Sequence, residues 1–149
     1  MPSDGAALRV LVVEDDQLVR TFISFALSRD SIEAIEAADG VDALALLAAG
    51  PYDAVLADGL LPDMHGIELA TRILDAPETA TMPICFLSGA VPSRVPTRAG
   101  IGCLSKPVKP AHLTEQLRSL VAWRDGGGST LEERRAALRK LEAGFLVGP

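Results

Sequence analysis

The 149-residue chain predicts an α/β fold, a doubly wound parallel sheet of five strands with helices on both faces. Five short apolar runs each end in a polar residue or a turn signal, and segments with helical spacing lie between most of them. Strands that alternate with helices give parallel sheets. The runs are continuous rather than alternating, as strands buried on both faces require. Aromatic residues make up only 4% of a chain that is 48% hydrophobic, so the core is one of Leu, Val, Ile and Ala, suited to helices packed on a sheet.

The first strand is Leu8 to Val13, interrupted only by Arg9 and ending in Glu14-Asp15-Asp16. From Gln17 to Ser28, Leu18, Val19, Phe22, Ile23, Phe25, Ala26 and Leu27 form a broad helical face, with Asp16 placed as N-cap. Ser31 to Ala38 is the second strand, with Ile32, Ala34 and Ile35 as its apolar members; Asp39-Gly40 then opens a helix from Val41 to Ala49 that Gly50-Pro51 ends. Ala54 to Ala57 is a short apolar run that stops at Asp58, and Gly59, Pro62 and Gly66 turn the chain. The third helix runs from Gly66 to Asp75, carrying Ile67, Leu69, Ala70, Ile73 and Leu74. Pro83 to Leu87 is the fourth strand, with Ser88-Gly89-Ala90 at its edge, and Ile101 to Leu104 the fifth, followed by Ser105-Lys106-Pro107. Between them, Pro92 and Pro96 would interrupt a helix, so a loop or a single turn is expected from Val91 to Arg98. Pro110 starts a helix to Trp123 with Leu113, Leu117, Leu120 and Val121 on one face.

Residues 1–124 thus form one domain, 125–129 a glycine-rich flexible linker, and 130–149 a helical extension. Ser129-Thr130-Leu131-Glu132 has capping-box spacing. Leu131, Leu138, Leu141 and Phe145 follow an a/d rhythm for barely two heptads, with Arg134 in the intervening position. This helix is expected to dock on its own domain, to pair with a second copy as a homodimer, or to meet a partner helix.

A net charge of −6 and a pI near 4.8 weigh against general affinity for nucleic acid or anionic membrane. With no signal-peptide pattern and no apolar stretch of membrane-spanning length, the expected location is cytoplasmic. Cys85 and Cys103 lie inside apolar segments, away from any CxxC pattern, and are expected to be reduced core residues.

Parallel strands bring their carboxyl ends to one edge, where ligands of open α/β sheets bind. Glu14, Asp15, Asp58, Ser88 and Lys106 meet there. Carboxylates packed together repel unless a hard cation lies between them, and an all-oxygen donor set favours Mg²⁺. A lysine and a small hydroxyl at the same edge suit phosphoryl oxygens. The cluster reads as a site that accepts a phosphoryl group on a carboxylate.

Val10-Leu11-Val12-Val13-Glu14-Asp15-Asp16, Asp58 with Pro62 and Gly66, Ser88-Gly89-Ala90, and Lys106-Pro107 closely resemble the receiver domain of two-component response regulators, over about Leu8 to Trp123. The resemblance implies a flavodoxin-like sheet of order 2-1-3-4-5. It implies that Asp58 is the phosphoacceptor, taking its phosphoryl group from a sensor histidine kinase or a histidine phosphotransfer protein. Asp15, Asp58 and the Leu60 carbonyl would ligate Mg²⁺ directly and Glu14 through water. Lys106 would pair with the acids and then the phosphate, the Lys106–Pro107 bond would be cis, and Ser88 would move to the phosphoryl oxygen. Such a chain is not an enzyme beyond self-catalysed phosphotransfer and dephosphorylation. No effector domain fits after Trp123, so the expected output is a phosphorylation-dependent protein contact.

Two departures bear on that output. Cys103 stands where many receivers carry an aromatic residue three positions before the lysine, and the proline-rich link replaces the usual fourth helix. Phe86-Leu87-Ser88-Gly89 is similar to the Phe-Ala-Thr-Gly motif of a receiver subgroup in which that helix is reduced or missing. The rival readings are a degenerate receiver used as a scaffold, against which Asp15, Asp58 and Lys106 speak, and an aspartyl-phosphate phosphatase, which needs an acid where Leu60 stands.

Overall fold

A computed structural model describes residues 7–89 and 95–147. The elements run β1 (Arg9–Val13), α1 (Gln17–Arg29), β2 (Glu33–Ala37), α2 (Gly40–Ala49), β3 (Ala54–Asp58), α3 (Gly66–Asp75), β4 (Ile84–Ser88), β5 (Val95–Arg98), β6 (Ile101–Ser105), α4 (Pro110–Asp125) and α5 (Leu131–Val147). The sheet order is β2-β1-β3-β4-β6-β5, and every pairing is parallel except β5 with β6. Apart from β5, this is the expected five-stranded doubly wound sheet in its 2-1-3-4-5 order. No helix among the described residues is long and apolar enough to cross a membrane.

The continuous apolar runs are explained by two covered faces. Successive strand residues point to opposite sides, so Leu11, Val13, Val55 and Phe86 enter one cluster with α2 and α3 while Val10, Val12, Leu56, Cys85 and Leu87 enter the other with α1 and α4. Cys85 and Cys103, paired to no disulfide, fall on opposite faces.

Val95–Arg98, expected as loop, is instead an antiparallel edge strand on β6, joined by a tight Ala99-Gly100 turn with φ of 53° and 73°. Pro96 is tolerated because an edge strand needs hydrogen bonds on one side only, and the ladder is irregular between Val95 and Arg98. The Ala90 to Arg94 part of the proline-rich link lies outside the described residues.

A right-handed crossover from β4 to β6 would place its helix beside α3, on the same face. Among the described residues no such helix exists, and α5 occupies that seat from the other end of the chain. Its Ala137, Leu138 and Leu141 join the cluster of Ile84, Phe86, Ile101 and Cys103. The side chain of Phe145, last of the predicted stripe, lies outside the described residues. Arg134, which breaks the a/d rhythm, anchors the helix: its side chain is 0% exposed. Its guanidinium donates to the carbonyls of Ala80, Met82, Ala99 and Gly100 and lies 4.8 Å from the Trp123 ring. Burial lowers its pKa to about 10, which leaves it cationic at neutral pH. Alongside, Arg135 pairs with Asp75 of α3 at 2.8 Å.

The glycines before α5 form a hydrogen-bonded turn on the end of α4. Gly126, Gly127 and Gly128 donate to the carbonyls of Ala122, Arg124 and Trp123, and positive φ at Gly127 and Gly128 suits glycine there. The capping box is Thr130 with Glu133, one residue later than the spacing from Ser129 suggests. Ser129 is otherwise engaged, accepting from Trp123 Nε1 at 2.9 Å.

Candidate functional site

At the end of β1 the chain leaves the sheet as Glu14-Asp15-Asp16, and each acid has a different setting. Asp16 caps α1, accepting from the Leu18 and Val19 amides at 2.9 and 3.2 Å. Glu14 is 1% exposed; its Oε1 meets Lys106 Nζ at 2.9 Å and its Oε2 accepts from the Asp16 amide at 3.0 Å. Arg20 of α1 donates to the Glu14 carbonyl at 2.7 Å and pairs with Glu36, which holds the strand end against α1 and β2. Burial is the largest influence on Glu14 and raises its carboxyl pKa, against the lowering effects of Lys106 and the Asp16 amide.

Asp58 is the last residue of β3. Its Oδ2 lies 3.1 Å from Lys106 Nζ, and its Oδ1 accepts from the Leu60 amide at 3.3 Å. Oxygens of Glu14, Asp15 and Asp58 all lie within 4.8 Å of one another. Three carboxylates this close fit a hard divalent cation, with Lys106 offsetting part of their charge. The Leu60 carbonyl belongs to the loop directly after Asp58, while the Leu60 side chain is 71% exposed.

Lys106 follows β6 and reaches back between Glu14 and Asp58. Burial works against its ammonium, yet the hydrogen bonds to the two carboxylates prevail and hold its pKa above the ordinary lysine value. Its backbone amide donates to the Ser88 carbonyl at 2.9 Å, and the Lys106–Pro107 bond is cis. Ser88 ends β4, 6% exposed, beside Ser105 in the ladder. The fold therefore brings Glu14, Asp15, Asp58, Ser88 and Lys106 to one sheet edge. Cys103 pairs with Phe86 in the ladder, buried, its thiol pushed up to about 12 by burial.

The loop after β3 contains two residues that the sequence reading did not single out. The loop is closed at its root by the Gly66 amide on the Gly59 carbonyl at 2.8 Å, and a bridge joins Leu60 to His65. His65 caps α3, its Nδ1 accepting from the Ile67 amide at 3.0 Å. Asp63 accepts from the Gly40 and Val41 amides of α2, each at 2.9 Å. An acid in a Gly/Pro turn and a polar residue before a helical run are visible signals. The contact of Asp63 with a helix more than twenty residues earlier is not.

Residues 10–118, more than half of the chain, match the family described as response regulator receiver domain. Among curated proteins, the transcriptional regulatory protein SrrA of Staphylococcus aureus (strain NCTC 8325 / PS 47) is 34% identical over 79 residues, 53% of this chain. The match spans 32% of SrrA, about a third of its length. Among solved structures, the chemotaxis response regulator CheY4 of Vibrio cholerae superimposes with a TM-score of 0.68 at 25% identity, over 76% of this chain and 98% of that one. The receiver domain of the sensor histidine kinase PA1611 from Pseudomonas aeruginosa PAO1, solved with a magnesium ion coordinated in its active-site cleft, gives 0.70 at 25% identity, over 78% and 99%. A CheY-like receiver domain from Methylobacillus flagellatus gives 0.66 at 27%, over 76% and 98%.

Proposed function

This chain belongs to the response regulator receiver domain family, and on that premise we propose that it accepts a phosphoryl group on Asp58 and signals through a phosphorylation-dependent protein contact. The observation that carries the reading is the position of the Asp58 carboxylate, at a strand end, 3.1 Å from the Lys106 ammonium and within 4.8 Å of the oxygens of Glu14 and Asp15.

The donor is a phosphohistidine on a sensor histidine kinase or a histidine phosphotransfer protein. An Asp58 carboxylate oxygen attacks phosphorus, the P–N bond breaks, and its electron pair leaves on the imidazole nitrogen; the new P–O bond makes an acyl phosphate. Lys106, already on Asp58 Oδ2, lies within reach of a phosphoryl oxygen, and Ser88 supplies a hydroxyl from the end of β4. Receiver domains bind Mg²⁺ in this acidic site. Here Asp15, Asp58 and the Leu60 carbonyl would hold it, with Glu14 acting through water, and the bound ion neutralises charge on the transferring oxygens. On this reading the chain's own turnover is at most self-catalysed phosphotransfer and dephosphorylation.

Phosphorylation turns a singly charged carboxylate into an acyl phosphate of about −1.5 to −2 charge, a net gain of up to about one negative charge at the sheet edge. α5 packs against α3 and against β6, the strand that Lys106 follows. Ala137, Leu138 and Leu141 of α5 are packed on its own domain, while Leu131 at the helix start is 40% exposed, so a homodimer through the packed residues requires α5 to undock first.

The test is incubation with acetyl phosphate and Mg²⁺, read by intact mass. A single phosphoryl adduct, lost in Asp58→Asn, is expected; an equal adduct in Asp58→Asn would sink the assignment. Light scattering with and without beryllofluoride then reads the oligomeric state of the full chain.

A further inference from the structure

We propose that Asp63 is a positioning residue for the cation site, a brace that holds the loop carrying the Leu60 carbonyl against the first turn of α2. The inference rests on the reading of the acidic cluster as a Mg²⁺ site and adds a residue to it.

The loop from Gly59 to Gly66 is tied at its root to β4 and to itself: the Gly59 amide donates to Leu87 O at 2.9 Å and the Gly66 amide to Gly59 O at 2.8 Å. Its middle is closed by the Leu61 amide on Met64 O at 3.1 Å. Only the first of these ties reaches another element, and it holds the root; the other two are local to the loop. Asp63 ties the loop's tip to another element, and it uses both carboxylate oxygens: Oδ1 accepts from the Gly40 amide and Oδ2 from the Val41 amide, each at 2.9 Å. The fork is rigid because two acceptors on one carboxylate meet two successive N–H groups, and those groups are the otherwise unsatisfied donors of a helix start. The Gly40 bond is the main reason the Asp63 carboxyl is held below the ordinary carboxylate value. Packing reinforces the tie, since Met64 lies against Gly40 so closely that a Cβ there would come within 2.5 Å of its Sδ.

Leu60 sits between the root and this brace. A backbone carbonyl has no side-chain rotamer to adjust, so its aim at the ion depends on where the loop is held. With Asp63 released, the loop keeps its local bonds while its tip loses its anchor. Partners one step beyond the ligands commonly set metal affinity by about tenfold or more.

A bland alternative is that Asp63 merely stabilises α2. Asp39 separates the two, because it caps the same helix, accepting from the Asp42 amide at 2.8 Å, but makes no hydrogen bond to the loop. The experiment is calorimetric Mg²⁺ titration of the full chain at raised ionic strength, which screens the long-range effect of deleting a charge, with thermal unfolding run in parallel. Asp63→Ala is expected to raise the Mg²⁺ Kd roughly tenfold, and Asp63→Asn, which keeps one acceptor, to raise it less. Asp39→Ala is expected to lower Tm comparably while leaving Kd within about twofold of the parent, given the screening. Amide exchange at Gly40 and Val41 should quicken in both Asp63 variants. Equal Kd values in the parent and Asp63→Ala, or an equal rise in Asp39→Ala, would overturn the brace while leaving the Mg²⁺ site intact. A parent chain that binds no Mg²⁺ would overturn both.

Discussion

Replacing Arg134 by Met keeps most of the aliphatic stem and removes the guanidinium, so it isolates the polar anchor of α5 from its packing. Four carbonyls lose a charged donor, those of Ala80, Met82, Ala99 and Gly100. Gly100 retains a partner in the Ile84 amide at 2.9 Å, so three carbonyls carry most of the loss. At roughly 1–1.5 kcal/mol each after solvent re-enters, the total is about 3–4.5 kcal/mol, close to what breaking a buried charged network costs. Relief from burying the cation trims this towards 3 kcal/mol. For a chain of this size that lowers Tm by about 6–12 °C. The assay is thermal and urea unfolding followed by circular dichroism, with fluorescence of Trp123, the single tryptophan, as a local probe because the guanidinium stacks on its ring. Arg135→Met is the control: its bridge to Asp75 is exposed at 36% and 56%, so its loss should cost under about 0.5 kcal/mol. Arg134→Lys should not restore the parent value, since an ammonium cannot reproduce the planar fork. A Tm within about 1 °C of the parent in Arg134→Met, with unchanged Trp123 emission, would refute the account of α5 as an anchored part of the fold.

Lys106→Met leaves the buried Glu14 and the partly buried Asp58 without their cation and should cost roughly 2–4 kcal/mol without Mg²⁺; the check is unfolding with and without Mg²⁺, which should restore more stability to the variant than to the parent. The Asp63 carboxyl is held below its ordinary value of 3.8, so its contribution is complete above that value and is lost as pH falls through the lower folded-state pKa. Asp63→Asn should therefore flatten the acid limb of a stability–pH curve below about pH 4 and change nothing near neutrality beyond a constant offset. Burial raises both thiols, Cys103 to about 12, so neither should react with iodoacetamide at neutral pH until urea opens the core, as counted by intact mass.

The main architecture was legible because burial on both faces forces continuous apolar runs, and β1, β3, β4 and β6 are such runs. The site was legible for a related reason: parallel strands end at one edge, so acids, hydroxyl and lysine placed after separate runs must converge. Where the reading missed, the missing information was a partner distant in the chain. Pro92 and Pro96 argue against a helix, but an edge strand at Val95–Arg98 depends on β6 offering its free side. The one-residue shift of the capping box follows from Trp123, which takes Ser129.

By itself, then, the pattern of residues determined the doubly wound sheet and the convergence of Glu14, Asp15, Asp58, Ser88 and Lys106, since strand direction and hydrophobic period are local properties. Tertiary structure alone decided what Arg134 and Asp63 do. A charge on an apolar stripe and an acid in a turn both look unpartnered until the backbone groups that they meet, the carbonyls around Ala80 and Gly100 and the amides of Gly40 and Val41, are brought to them by the fold.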